Sequence, residues 1–96
     1  MINENKPYRV LVVEDNPGDY FLLEQYFELS KLTVDRIFHT KNMSETVNIV
    51  KNSTFDIALL DLTLPDSTGV DSVITLGRLL PKTPIVVFSG LSTLEI

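Results

Sequence analysis

There is no cysteine among the 96 residues, which excludes disulfides, thiolate metal sites and cysteine nucleophiles. Basic clusters are missing too: eight lysines and arginines lie scattered singly from Lys6 to Lys82, against thirteen acids, for a net charge of −5. A nucleic-acid footprint needs a basic patch or stripe, so direct nucleic-acid binding is not expected. No apolar run approaches the length of a membrane span, and Met1 to Arg9 carries no apolar signal-peptide core. The expectation is a cytoplasmic protein with no membrane-embedded part. Histidine occurs once, at His39, and repeats and low-complexity stretches are absent. What is present is a chain that is 44% hydrophobic and sized for one small domain, apolar enough for a packed core. At this length the burial margin is thin, so each core element matters.

Residues 1–7 are polar and end at Pro7, which predicts a flexible N-terminal tail with the domain running over 8–96. Val10-Leu11-Val12-Val13 is apolar at every position, the pattern of a strand buried on both faces, as in a parallel sheet. Leu22, Leu23, Tyr26, Phe27 and Leu29 follow at helical spacing within Asp19 to Leu29. Thr33 to Thr40 alternates roughly and predicts an edge strand. Asn42 followed by Glu45 resembles a capping box opening a short helix through Val47, Ile49 and Val50. The pattern then repeats. Ile57-Ala58-Leu59-Leu60 is a second buried strand ending at Asp61, and Leu64 to Gly69 is a loop. Val70, Val73, Ile74 and Leu80 mark a third helix, stopped near Pro81 and Pro84. Ile85-Val86-Val87-Phe88 reads as a third buried strand ending at Ser89-Gly90, with a fourth helix expected to begin within Leu91 to Ile96. Strands alternating with helices predict an α/β fold with an open parallel sheet.

In such a sheet ligands bind outside the carboxyl ends of the strands. Three predicted strands end in functional groups: Glu14-Asp15, Asp61 and Ser89. Adjacent parallel strands lie about 4.8 Å apart, so Glu14, Asp15 and Asp61 are expected to share one small pocket. Carboxylates that close repel one another and raise one another's pKa values, a conflict that a bound cation removes. An all-oxygen donor set with room for water and phosphate favours Mg²⁺. Each piece alone is ordinary: the acidic pair a solvated turn or cap, Asp61 a turn residue before a proline loop, Ser-Gly a tight turn. The informative feature is the combination, in order, at the ends of three apolar strands.

The segment Val10-Leu11-Val12-Val13-Glu14-Asp15-Asn16 resembles the first strand and acidic pair of response-regulator receiver domains. Leu59-Leu60-Asp61-Leu62-Thr63-Leu64-Pro65-Asp66-Ser67-Thr68-Gly69 is similar to the family's phosphorylation strand and loop, and Pro84 to Gly90 to its fourth strand and switch hydroxyl. The resemblance implies a flavodoxin-like sheet of order 2-1-3-4, with the family's fifth strand and last helices absent from this chain. It further implies that Asp61 accepts a phosphoryl group from a sensor histidine kinase or phosphotransfer protein. Mg²⁺ would be bound by Asp15 and Asp61, by Glu14 directly or through water, and by the Thr63 backbone carbonyl. Ser89 would hydrogen-bond the phosphoryl oxygen as the switch hydroxyl. The module would be a phosphoacceptor and not an enzyme.

The chemistry is consistent with that assignment, since a carboxylate needs no general base and phosphoryl transfer is mostly positioning plus charge neutralisation. Two other readings use the same residues. A magnesium phosphatase with an aspartate nucleophile needs a second Asp two residues on, where this chain has Thr63. A pseudo-receiver would serve only as a non-phosphorylated dimerisation or docking surface. His39 reads as an exposed strand-end histidine, and Tyr20, Tyr26 and Phe27 as core or helix-face packing. With no fifth strand, whose terminal lysine in the family pairs with the phosphoryl group, Ile85 to Phe88 would become an apolar edge. Self-association through that strand is therefore expected.

Overall fold

The computed structural model describes residues 7–89; the beginning of the expected tail and the expected start of a fourth helix fall outside them. Within them β1 (Tyr8–Val13), α1 (Pro17–Leu29), β2 (Val34–Thr40), α2 (Met43–Val50), β3 (Ile57–Asp61), α3 (Gly69–Leu79) and β4 (Ile85–Phe88) follow in order. The four strands form one parallel sheet of order β2-β1-β3-β4, the flavodoxin-like arrangement of receiver domains. β1 and β3 are interior and paired from Val10 with Ile57 to Val13 with Leu60. That position explains their unbroken apolar runs, because an interior strand of a two-faced sheet buries side chains in both directions.

The two faces carry separate cores. Leu11, Val13, Ala58 and Leu60 point to the side of α2 and α3, where Phe38, Met43, Phe55, Leu64, Leu76 and Leu80 complete a cluster. Val10, Val12 and Leu59 point the other way and meet Leu23 of α1, with Tyr20, Phe27 and Phe88 packed around them.

Local sequence sets the helix starts. Asn16 accepts the Asp19 N–H on Oδ1 at 3.0 Å and Pro17 occupies the first helical position, so α1 opens two residues earlier than its apolar spacing suggests. Asn42 Oδ1 accepts the Glu45 N–H at 2.8 Å, and the Glu45 carboxylate reaches back to the Lys41 N–H at 2.9 Å, a capping box displaced by one residue.

Three expectations change. Three of the four apolar positions that mark α3 are not buried: Val70, Val73 and Ile74 are exposed, whereas the fourth, Leu80, is buried, and Ser72 and Leu76 are fully buried. Leu76 and Leu80, one turn apart, set the helix rotation by packing into the cluster against the sheet. On α1, Tyr26 is likewise exposed where packing was expected. β4 is not a buried strand: it pairs with β3 alone among the described residues, and Val86 and Val87 are 47% and 44% exposed.

Candidate functional site

Past Val13 the first strand delivers Glu14 into the interior, and its backbone is held from both sides by the end of β2. The Glu14 N–H donates to the Thr40 carbonyl at 2.9 Å, and its own carbonyl lies 2.7 Å from His39 Nε2. A carbonyl only accepts, so His39 Nε2 carries the proton. The Glu14 side chain is fully buried. Its Oε2 accepts the Asn16 N–H at 3.0 Å, but its Oε1 has no hydrogen-bond partner. Asp15, the next residue, is exposed.

β3 runs beside β1 and ends one residue past the Val13–Leu60 pair, so Asp61 stands next to Glu14 at the carboxyl edge. Asp61 is 5% exposed, and its Oδ1 accepts the Thr63 N–H at 3.0 Å. Carboxylate oxygens of Glu14, Asp15 and Asp61 all lie within 4.8 Å of one another. The structure thus brings together the three acids that the sequence places at the strand ends.

The electrostatic consequence falls on Glu14. Burial pushes its pKa up from 4.5 to about 8, against the Asn16 N–H, which favours the charged form; the Asp61 and Asp19 carboxylates push it further up. An anionic cluster with a buried, partnerless carboxylate oxygen is costly when bare and well suited to a hard cation. The donor set therefore fits Mg²⁺ on its own chemistry.

The loop after Asp61 is folded back on itself. The Gly69 N–H donates to the Leu62 carbonyl at 2.7 Å, Leu64 N–H to the Ser67 carbonyl at 3.1 Å, and Thr63 bridges Thr68. Gly69 enters α3 with φ of 57°, the left-handed region that suits glycine. Thr63, whose carbonyl is the fourth expected metal ligand, sits in this loop just beyond Asp61. Ser89 follows β4, whose last residue Phe88 is paired with Asp61, and is exposed. The Leu62 N–H donates to the Phe88 carbonyl at 2.9 Å, which brings the strand end carrying Ser89 alongside the residue after Asp61.

Three residues near the site depart from what the sequence suggests. Asp19 is buried and close enough to raise the Glu14 pKa; its place in the first turn after the Asn16 cap is the one signal of it in the sequence. His39 is not an exposed strand-end histidine but is half-buried, stacked on Tyr20 with ring centroids 3.7 Å apart and planes 4° from parallel. Asp66 of the loop accepts the N–H groups of Met43 and Ser44, at 2.8 and 3.0 Å, on the open end of α2. Those bonds hold the Asp66 carboxyl below its usual range.

Among the described residues no helix is long and apolar enough to cross a membrane. The family model for the response regulator receiver domain matches residues 10–96. The cell cycle response regulator CtrA of Brucella ovis is 35% identical over 88 residues, covering 91% of this chain and 36% of that protein. The chain thus spans about a third of the length of the curated relatives it matches. A response regulator from Burkholderia pseudomallei, solved with a phosphorylated aspartic acid, calcium and citrate, superposes with a TM-score of 0.70 at 23% identity, over 86% of this chain and 47% of that one. The receiver domain of sensor histidine kinase PA1611 from Pseudomonas aeruginosa PAO1, with magnesium in its active site cleft, gives a TM-score of 0.72 at 19% identity, over 92% and 71%. With the parallel sheet, the acids at its carboxyl edge and the match along nearly its whole length, this chain belongs to the response regulator receiver domains.

Proposed function

We propose that this chain is a phosphoacceptor module of a two-component system, with Asp61 the residue that is phosphorylated. The observation that carries the reading is the convergence of Glu14, Asp15 and Asp61 within 4.8 Å at the ends of two adjacent strands. In the reaction an Asp61 carboxylate oxygen attacks the phosphorus of a phosphohistidine on a sensor kinase or phosphotransfer protein. The P–N bond breaks, the imidazole keeps its electron pair, and Asp61 becomes an acyl phosphate. Asp61 reacts as the anion and needs no base to activate it. The Thr63 N–H bond to Asp61 Oδ1 fixes the carboxylate's rotation. Mg²⁺, held by Glu14, Asp15, Asp61 and the Thr63 carbonyl, would neutralise charge on the transferring oxygens. Ser89 is the switch hydroxyl that follows the new phosphoryl oxygens. The Burkholderia and Pseudomonas structures, with a phosphorylated aspartate and a bound divalent ion respectively, support the same assignment here.

In this reading residues 1–7 are a tail, 8–96 the receiver domain, the setting cytoplasmic, and the chain a substrate of its kinase and not itself an enzyme. The exposed Val86 and Val87 of β4, a strand that pairs with β3 alone among the described residues, support a further partner, a second copy of the chain paired along Ile85–Phe88. Sedimentation at micromolar concentration checks that pairing; a folded monomer excludes it.

The decisive test is incubation with Mg²⁺ and a small phosphodonor, followed by peptide mass analysis. One phosphoryl mass is expected on Asp61, none in Asp61→Asn, and retained incorporation with a weakened conformational response in Ser89→Ala. Equal incorporation in the Asn variant overturns the scheme, and none in the parent would leave a non-phosphorylated docking module.

A further inference from the structure

The parallel ladder between β1 and β2 ends at the Val13–Thr40 pair, and the Glu14 N–H adds one more bond to the Thr40 carbonyl. The chain of β2 then turns into α2: the Lys41 N–H goes to the Glu45 carboxylate and Asn42 becomes the helix cap. No strand residue follows to offer the Glu14 carbonyl a backbone amide, although it lies at the threshold of the acidic cluster. A side chain supplies the bond instead, His39 Nε2–H at 2.7 Å.

The histidine is itself braced. Its ring lies flat on Tyr20, and Tyr20 sits one turn before Glu24 on α1, whose carboxylate interacts with the phenol. The same helix is capped by Asn16, which also gives its N–H to Glu14 Oε2. β2, α1 and the acidic turn between β1 and α1 are thereby joined through one imidazole. Because the peptide groups on both sides of the Glu14 Cα are held, one through its N–H and the next through its C=O, Glu14 and Asp15 have little freedom to swing apart. Acids that repel one another are the ones for which such fixing matters.

We propose that His39 is a positioning residue of this receiver's cation site: its Nε2–H holds the Glu14 carbonyl, and so presets the Glu14–Asp15 turn for a divalent ion. This rests on the reading of the cluster as a Mg²⁺ site. Groups that orient metal ligands without touching the metal are typically worth about 10–100-fold in affinity.

The test is titration of the full chain with Mg²⁺ alone, followed by amide chemical shifts of Asp15 and Asn16, with circular dichroism reporting the folded fraction. His39→Phe keeps a flat ring on Tyr20 and removes the donor; it is expected to weaken Mg²⁺ binding about tenfold with the fold intact. His39→Gln removes the ring and retains an N–H able to reach the carbonyl, and is expected to recover most of that loss. Should His39→Phe not fold, His39→Leu is the second donorless variant. The inference is overturned if the folded donorless variant binds Mg²⁺ as tightly as the parent. It is equally overturned if Gln and the donorless variant lose affinity alike, since packing and not the bond would then be responsible. A parent that binds no Mg²⁺ overturns the site reading itself, a result distinct from both.

Discussion

Within one residue of β1 the molecule passes between two kinds of burial. Val13 and Glu14 are both fully buried, yet Val13 is surrounded by Leu11, Leu60 and their cluster while Glu14 carries an oxygen with no partner. The sheet's middle is satisfied and its carboxyl edge is not. The difference is one of function: apolar contacts among matched side chains lower the energy of the fold, whereas the acids at the edge raise it until a cation joins them. The stable region acts as the frame that forces the unstable one to stay together, because Glu14 and Asp61 cannot separate without unpairing β1 from β3.

The sharpest way to break this contrast is in the frame. Leu60 is fully buried on β3, and Leu60→Ala should cost about 2–5 kcal/mol through lost burial and a residual cavity. Denaturant melts measure that cost. Mg²⁺ should restore part of the stability, since it binds the folded edge alone.

A smaller effect, and one of changing sign, is expected at the edge. Glu14 has a folded-state pKa near 8, above the ordinary 4.5, so folding takes up a proton. The stability linked to that proton is whole below about 4.5 and is lost as pH rises toward about 8. Without divalent ions the parent should therefore melt at progressively lower temperature from about pH 5 to about pH 8. Glu14→Gln, neutral at every pH, should flatten the profile and melt higher than the parent at the alkaline end. With Mg²⁺ added the order should reverse. Thermal scans over that range, with and without Mg²⁺, check both halves, and a pH-independent parent would remove the contrast.

The smallest effect should come from a site that belongs to neither region. Asn42 caps α2, and Asn42→Ala is expected to cost about 1 kcal/mol. Mg²⁺ affinity should stay unchanged, which titration and denaturant melts together would establish.

Much of this architecture is legible in the order of the residues. Val10 to Val13 and Ile57 to Leu60 are short runs apolar at every position, bounded by turn residues, the pattern of strands covered on both faces, which makes a parallel sheet the economical answer. Asn42 and Glu45 announce a helix start at their spacing, and Glu14, Asp15 and Asp61 announce a shared pocket because strand ends meet on one edge. Such features are local, or depend on one general rule of topology.

Other features depend on how separate pieces meet. Val70, Val73 and Ile74 say that a helix is there, but not which way it faces; Leu76 and Ser72 take the sheet side because of how α3 docks. The His39–Glu14 bond joins residues 25 apart and the Asp66–Met43 bond residues 23 apart. Neither follows from spacing, since each requires the register of β2 on β1 or the fold of the β3–α3 loop to be known to within one residue. The sequence by itself determined the periodicities, the caps and the identity of the acids, all consequences of near-neighbour chemistry. Only the tertiary structure decided which oxygen of Glu14 was left without a partner, because burial and hydrogen bonding are properties of everything that surrounds an atom.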